Sequence, residues 1–138
     1  MSTQNVHGVA IGLEISRQFR FTDADVHEFA RLVNDNARVH HDKAFATELG
    51  YSDVIVFGHL AVAPFSGLIG EELPGDGWVI LRHSFEFRQP LYIGQEVVYT
   101  GRVVKVRPQL RIIEIDLSIQ GVSGAIITGR CQCKHLSS

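Results

Sequence analysis

The amino-acid sequence predicts an α+β chain in which a curved antiparallel sheet wraps around one apolar helix. Its second half holds long runs of strand-like alternation with only turns between them. The segment from His59 to Glu72 is apolar nearly all round, and a helix without a polar face must be surrounded by protein. Consecutive antiparallel strands without helices between them form a meander. One face of such a sheet needs cover, and the apolar helix is the available cover.

Each element has its own signal. Ile15, Arg17, Phe19 and Phe21 alternate with Glu14, Ser16, Gln18 and Arg20, which predicts a first strand. Thr22 stands three residues before Asp25, the pattern of a capping box. Val26, Phe29, Ala30 and Val33 then follow at helical spacing, so a helix is expected to run to about Val33 with its apolar stripe on the core. Asp42 is placed to cap a short helix, Lys43 to Leu49, and Gly50 to end it in the left-handed conformation. Val54 to Phe57 reads as a short strand. Within the apolar helix Pro64 removes a backbone donor, so a kink or a late start is expected there. Leu73 to Gly77 is a turn, and strands are expected over Trp78–Phe87, Val97–Arg107, Leu110–Gln120 and Ala125–Lys134. Pro108-Gln109 and Gly121-Val122-Ser123-Gly124 separate the last three.

Composition narrows the function. The chain has 138 residues, enough for one ordinary domain (1–138), and 45% of them are hydrophobic. Charged residues make up 20%, sparse enough to suit a subunit that hides surface in an oligomer. The formal net charge is -2 with no run of Lys or Arg, so nucleic acid is not an expected partner. No secretory pattern and no membrane-spanning apolar run is visible, which makes a cytoplasmic address the expectation. Cys131 and Cys133 would share one face of a strand, poorly placed for a disulfide, and lack the companions of a zinc site. They read as small buried residues. No Gly-rich nucleotide fingerprint is present, and neither a cofactor nor a metal is expected.

Several local sequences resemble the MaoC-like dehydratases and (R)-specific enoyl-CoA hydratases. Phe21-Thr22-Asp23-Ala24-Asp25-Val26 with Phe29-Ala30 looks like the entry helix of that family. Phe65-Ser66-Gly67-Leu68-Ile69-Gly70 followed by Leu73-Pro74-Gly75 is similar to its central helix, and Phe85, Phe87, Arg88, Pro90 and Gly94 resemble its strand-and-turn stretch. The resemblance covers almost the whole chain and implies the hotdog fold, a homodimer whose sheets join into one, and an acyl-CoA or acyl-carrier-protein thioester as substrate. The family motif Asp-x-Asn-Pro-(Leu/Ile)-His corresponds here to Asp35-Asn36-Ala37-Arg38-Val39-His40, so Asp and His keep the spacing while Asn and Pro are replaced. The family's His-Gly at the start of the central helix is Phe57-Gly58 here, and Ser66 matches its helix serine.

Adding water to an α,β-unsaturated thioester needs a base for the water, an acid for the α-carbon and donors for the enolate-like oxygen. The resemblance implies that Asp35 takes a proton while His40 orients the water. A turn residue and an ordinary polar neighbour are the competing roles for this pair. Backbone N–H groups at a helix start can receive the thioester oxygen, which makes Gly58 a candidate oxyanion donor, or else a simple turn residue. Ser66 is a candidate thioester contact or a small packing residue. Arg38 could pair with Asp35, meet a negative part of the substrate, or stay solvated. His59 at the helix start could partly stand in for the family histidine that Phe57 replaces. The expected function is hydration or dehydration of an enoyl thioester by syn addition or removal of water. A hotdog thioesterase and a non-catalytic acyl-binding partner are the alternatives.

Overall fold

A computed structural model describes residues 4–137. A small hairpin, Asn5–Val6 (β1) with Val9–Ala10 (β2), precedes the main elements. Its strands are too short for alternation to announce them. Then come Glu14–Phe19 (β3), Asp23–Val33 (α1), a 3-10 turn at Arg38–His40, Lys43–Glu48 (α2), Gly58–Val62 (α3) and Pro64–Glu71 (α4). The remainder is Trp78–Phe87 (β4), Val97–Arg107 (β5), Ile112–Gly121 (β6) and Gly124–His135 (β7).

The five long strands form one antiparallel sheet in the order β3-β5-β6-β7-β4. Only β5, β6 and β7 form the expected meander. β4 pairs with β7 at the far edge, because β3 occupies the side of β5 that a simple meander would give it. The connection from β4 to β5 therefore crosses the mouth of the sheet and meets other elements there. Val56 N–H donates to Leu91 O at 2.8 Å, and Gly94 N–H donates to Phe21 O at 2.8 Å. The expected strand at Val54–Phe57 reduces to one bridge, Ile55 with Tyr92.

Inward residues of the sheet, among them Val103, Ile113, Ile115, Ile119 and Ile126, are fully buried beneath the apolar helix. That helix breaks at Ala63, and Pro64 takes the first position of α4, where its missing N–H costs nothing. Ala61, Phe65, Leu68 and Ile69 form its buried face. At Gly101 of β5 a Cβ atom would stand 3.0 Å from a Leu73 methyl and 3.1 Å from one of Leu68, so glycine permits this helix–sheet approach. The Tyr99 hydroxyl donates to Ala61 O, and burial raises its pKa well above the usual value.

The 59–72 segment is not enclosed on all sides by its own chain: His59, Ala63, Ser66 and Gly70 lie on an exposed face. The capping box follows the sequence more closely. Thr22 Oγ1 accepts Asp25 N–H at 3.2 Å while Asp25 accepts Thr22 N–H at 2.9 Å. Cys131 and Cys133 are buried free thiols with sulfurs 3.8 Å apart. No described helix is long and apolar enough to cross a membrane.

Candidate functional site

Two capped helices hold the Asp35–His40 segment between them. α1 ends at Asn34 in the left-handed conformation, and Asp35 N–H returns to Ala30 O at 3.0 Å. Asp35 Oδ1 then accepts Ala37 N–H at 2.9 Å, an Asx turn that steers the chain into the 3-10 turn ending at His40. Beyond it, Asp42 Oδ1 accepts Phe45 N–H at 3.1 Å and starts α2.

His40 is half-buried, and its Nδ1 lies 2.7 Å from Ile55 O. A carbonyl only accepts, so Nδ1 carries a hydrogen, and in the neutral ring the lone pair is then on Nε2. The imidazole also packs on Phe57, with ring centroids 3.9 Å apart and planes inclined by 31°. Both contacts come from the 55–57 stretch, which Ile55 N–H ties to Val39 O at 3.2 Å. His40 therefore has a set position and a set tautomer.

A cleft of about 290 Å³ opens beside this ring, lined by His40, Tyr51, Ile55, Gly58, Phe87 and Leu91 among others. Gly58 is the first residue of α3, so its N–H has no acceptor within the helix. A Cβ atom at Gly58 would stand 3.1 Å from the Phe87 ring, which leaves little room for a side chain between cleft and helix. His40 and Phe57 also border a second cavity of about 400 Å³ beneath α1, with Val26, Ala30, Asn36 and His41. A larger concavity, about 760 Å³, lies elsewhere, between α1, α4 and β3, and includes Phe19, Phe29, Leu32, Leu60 and Tyr99.

Of the six residues singled out by sequence, the structure brings His40 and Gly58 into one cleft. Asp35 stands at the Asx turn that leads to His40 and is not among the cleft's lining residues. Ser66 and His59 lie on the exposed face of the central helical segment. Arg38 does not pair with Asp35. Its Nη2 meets Asp42 Oδ2 at 3.1 Å, its guanidinium lies 4.3 Å over the Phe45 ring, and its side chain is 61% exposed. The reason is local: residues four apart in a helical turn face one another, and here Asp42 is that neighbour. The Phe45 N–H first, and Arg38 second, hold the Asp42 carboxyl below its usual pKa. The residue order did not announce Ile55 or the packing of Phe57 against His40. A carbonyl acceptor has no residue-type signature, while Phe57 was visible only as a departure from the family pattern.

Residues 10–127 match the family model described as the FAS1-like dehydratase domain region. Over 135 residues the chain is 34% identical to an (R)-specific enoyl-CoA hydratase from Aeromonas caviae, covering 97% of this chain and 98% of that protein. It is 29% identical to the mitochondrial 3-hydroxyacyl-[acyl-carrier-protein] dehydratase FERN of Solanum lycopersicum, over 70% of this chain and 58% of that one. Among solved structures, the (R)-hydratase from A. caviae involved in PHA biosynthesis superposes with a TM-score of 0.87 at 32% identity, covering 93% of this chain and 98% of the other. With a hotdog sheet, a central helix and near full-length similarity in place, the chain belongs to the MaoC-like family of dehydratases and (R)-specific enoyl-CoA hydratases, and is an enzyme of the hydratase/dehydratase (lyase) class.

Proposed function

We propose that this protein adds water to an enoyl thioester, or removes it from the 3-hydroxyacyl thioester, with Asp35 and His40 as the proton-handling pair. One observation carries the site assignment: His40, with Nδ1–H committed to Ile55 O, shares a cleft with the helix-start glycine, Gly58. The lone pair on Nε2 orients the water. Asp35, with Oδ1 engaged by Ala37 N–H, takes a proton from the water through its second oxygen. The water oxygen bonds to the β-carbon as the double bond opens toward the thioester. Negative charge gathers on the thioester oxygen, where the Gly58 N–H receives it. The proton then returns to the α-carbon on the same face, and dehydration is the reverse. The A. caviae and S. lycopersicum relatives are named for a CoA thioester and a carrier-protein thioester respectively, so an acyl thioester of one of these carriers is the proposed substrate.

The proposal includes a homodimer. β4 is an edge strand with Ile80, Leu81 and Phe87 exposed, and the face carrying Ser66 is uncovered. A second copy added along β4 would extend the sheet and shelter both. Light scattering should give twice the chain mass at micromolar concentration, and a stable monomer would rule this part out. The reaction itself is tested by loss of the enoyl absorbance of crotonyl-CoA, with free thiol followed in parallel. Hydration without thiol release supports the assignment; thiol release alone would make the protein a thioesterase.

A further inference from the structure

We propose that Phe57 is a positioning residue for His40: its ring is the platform that sets the plane of the imidazole beside the cleft opening at Gly58. This inference rests on the hydratase reading, in which His40 orients the water. The hydrogen bond from Nδ1 to Ile55 O fixes one atom of the ring. It leaves the ring free to swing about that contact, which would carry Nε2 out of the cleft. A ring packed close against the imidazole limits that freedom, and Phe57 supplies one at 3.9 Å between centroids with the planes inclined by 31°.

The platform is itself fixed. Phe57 is 4% exposed, and the ring of Phe29 from α1 braces it at 5.1 Å. Between the two gripping residues, Val56 N–H is held by Leu91 O at 2.8 Å. One short extended segment therefore grips His40 twice, at a nitrogen through Ile55 and at a ring face through Phe57. Phe57 is also the residue immediately before Gly58, as N-cap of α3. The water-orienting imidazole and the oxyanion donor are thus located by one stretch of backbone, and a shift at Phe57 moves both. Where the resembling hydratases carry a histidine before this glycine, phenylalanine offers no hydrogen bond, so its contribution is the flat face.

The test compares Phe57→Leu, which keeps apolar bulk without a flat ring, with Phe57→His, which keeps a ring. Three quantities are read: the His40 tautomer by long-range proton–nitrogen NMR, kcat and KM with crotonyl-CoA, and the melting temperature. The wild type should show a single Nδ1–H tautomer. Phe57→Leu should show averaged ring nitrogens and a kcat lower by about tenfold or more with KM little changed, since misplaced catalytic groups lose rate rather than binding. Phe57→His should recover most of kcat. If Phe57→Leu does not fold, Phe57→Met takes its place. The inference is overturned if the ring-less variant keeps both the single tautomer and kcat within about twofold, or if Phe57→His loses as much kcat and melting temperature as Phe57→Leu. A wild type that hydrates nothing would sink the hydratase reading, while the tautomer measurement still decides the role of Phe57.

Discussion

Two concavities border the central helical segment. One, about 290 Å³, lies beside Gly58 and is walled by His40, whose tautomer is set by Ile55 O. The other, about 760 Å³, lies between α1, α4 and β3 and is walled mainly by aromatic and aliphatic side chains. Charged groups at its rim are partly spoken for: Asp25 is in the capping box, and Arg17 pairs with Glu72 at 2.8 Å and Glu71 at 3.6 Å. The larger space can hold apolar matter, and its Arg17 and Asp25 are engaged in an ion pair and a helix cap. The smaller one combines an imidazole of known tautomer with the start of a helix. Volume marks where something fits, whereas a fixed lone pair marks where a reaction can happen.

Mutations sharpen that contrast most at His40 in the small cleft and at Asp35 in the turn that leads to it. His40→Ala and Asp35→Asn should each lower kcat by about 10²- to 10⁴-fold on an enoyl thioester, with circular dichroism unchanged. The double variant should be little worse than either single one, because the pair acts as a unit. In the large groove, Leu32→Gln places a polar group on an exposed wall and should leave kcat/KM within about twofold for short and long acyl chains alike. A selective loss for long chains would instead make the groove an acyl site and break the comparison.

Smaller effects follow from the elements that frame the cleft. Thr22→Ala removes the α1 cap and should cost about 1 kcal/mol in urea unfolding with kcat retained. Arg38→Ala frees Asp42 and uncovers Phe45, yet the guanidinium faces α2, so turnover should change by no more than about twofold. A large loss on an anionic acyl group alone would return Arg38 to the substrate site. At acid pH, Asp42 sets the direction. Its folded pKa lies below the ordinary 3.8, so its stabilisation is complete above that value and fades as pH falls through the lowered one. Urea midpoints between neutral and acid pH should therefore fall less steeply for Asp42→Asn than for wild type.

Much of this fold was legible in residue order because its signals are local. Alternation set β3 and β5 to β7 to within a few residues, and capping chemistry set the starts of α1 and α2. Pro64 announced the break before α4. The placement of β4 beside β7 was not legible, since alternation tells which face a residue takes and not which strand lies next to it. At the site, Asp35, His40 and Gly58 stood out by spacing and resemblance. Arg38 was read by its charge alone, and the competing partner Asp42 and the aromatic face of Phe45 decided its direction.

By itself the sequence determined the types of the longer elements, the apolar helix that must be covered, and the residue types able to move a proton. Those properties depend on neighbours a few positions away, through periodicity, caps and side-chain chemistry. Only the tertiary structure decided that Ile55, fifteen residues beyond His40, supplies the carbonyl that fixes its tautomer, and that the Phe57 ring packs against the imidazole at an incline of 31°. It likewise decided that Ser66 and His59 face outward from the single chain. A backbone carbonyl exists at every residue, so nothing in the order of side chains says which one will be aimed at an imidazole. That choice is made when the β4–β5 connection and the 55–57 segment pack together.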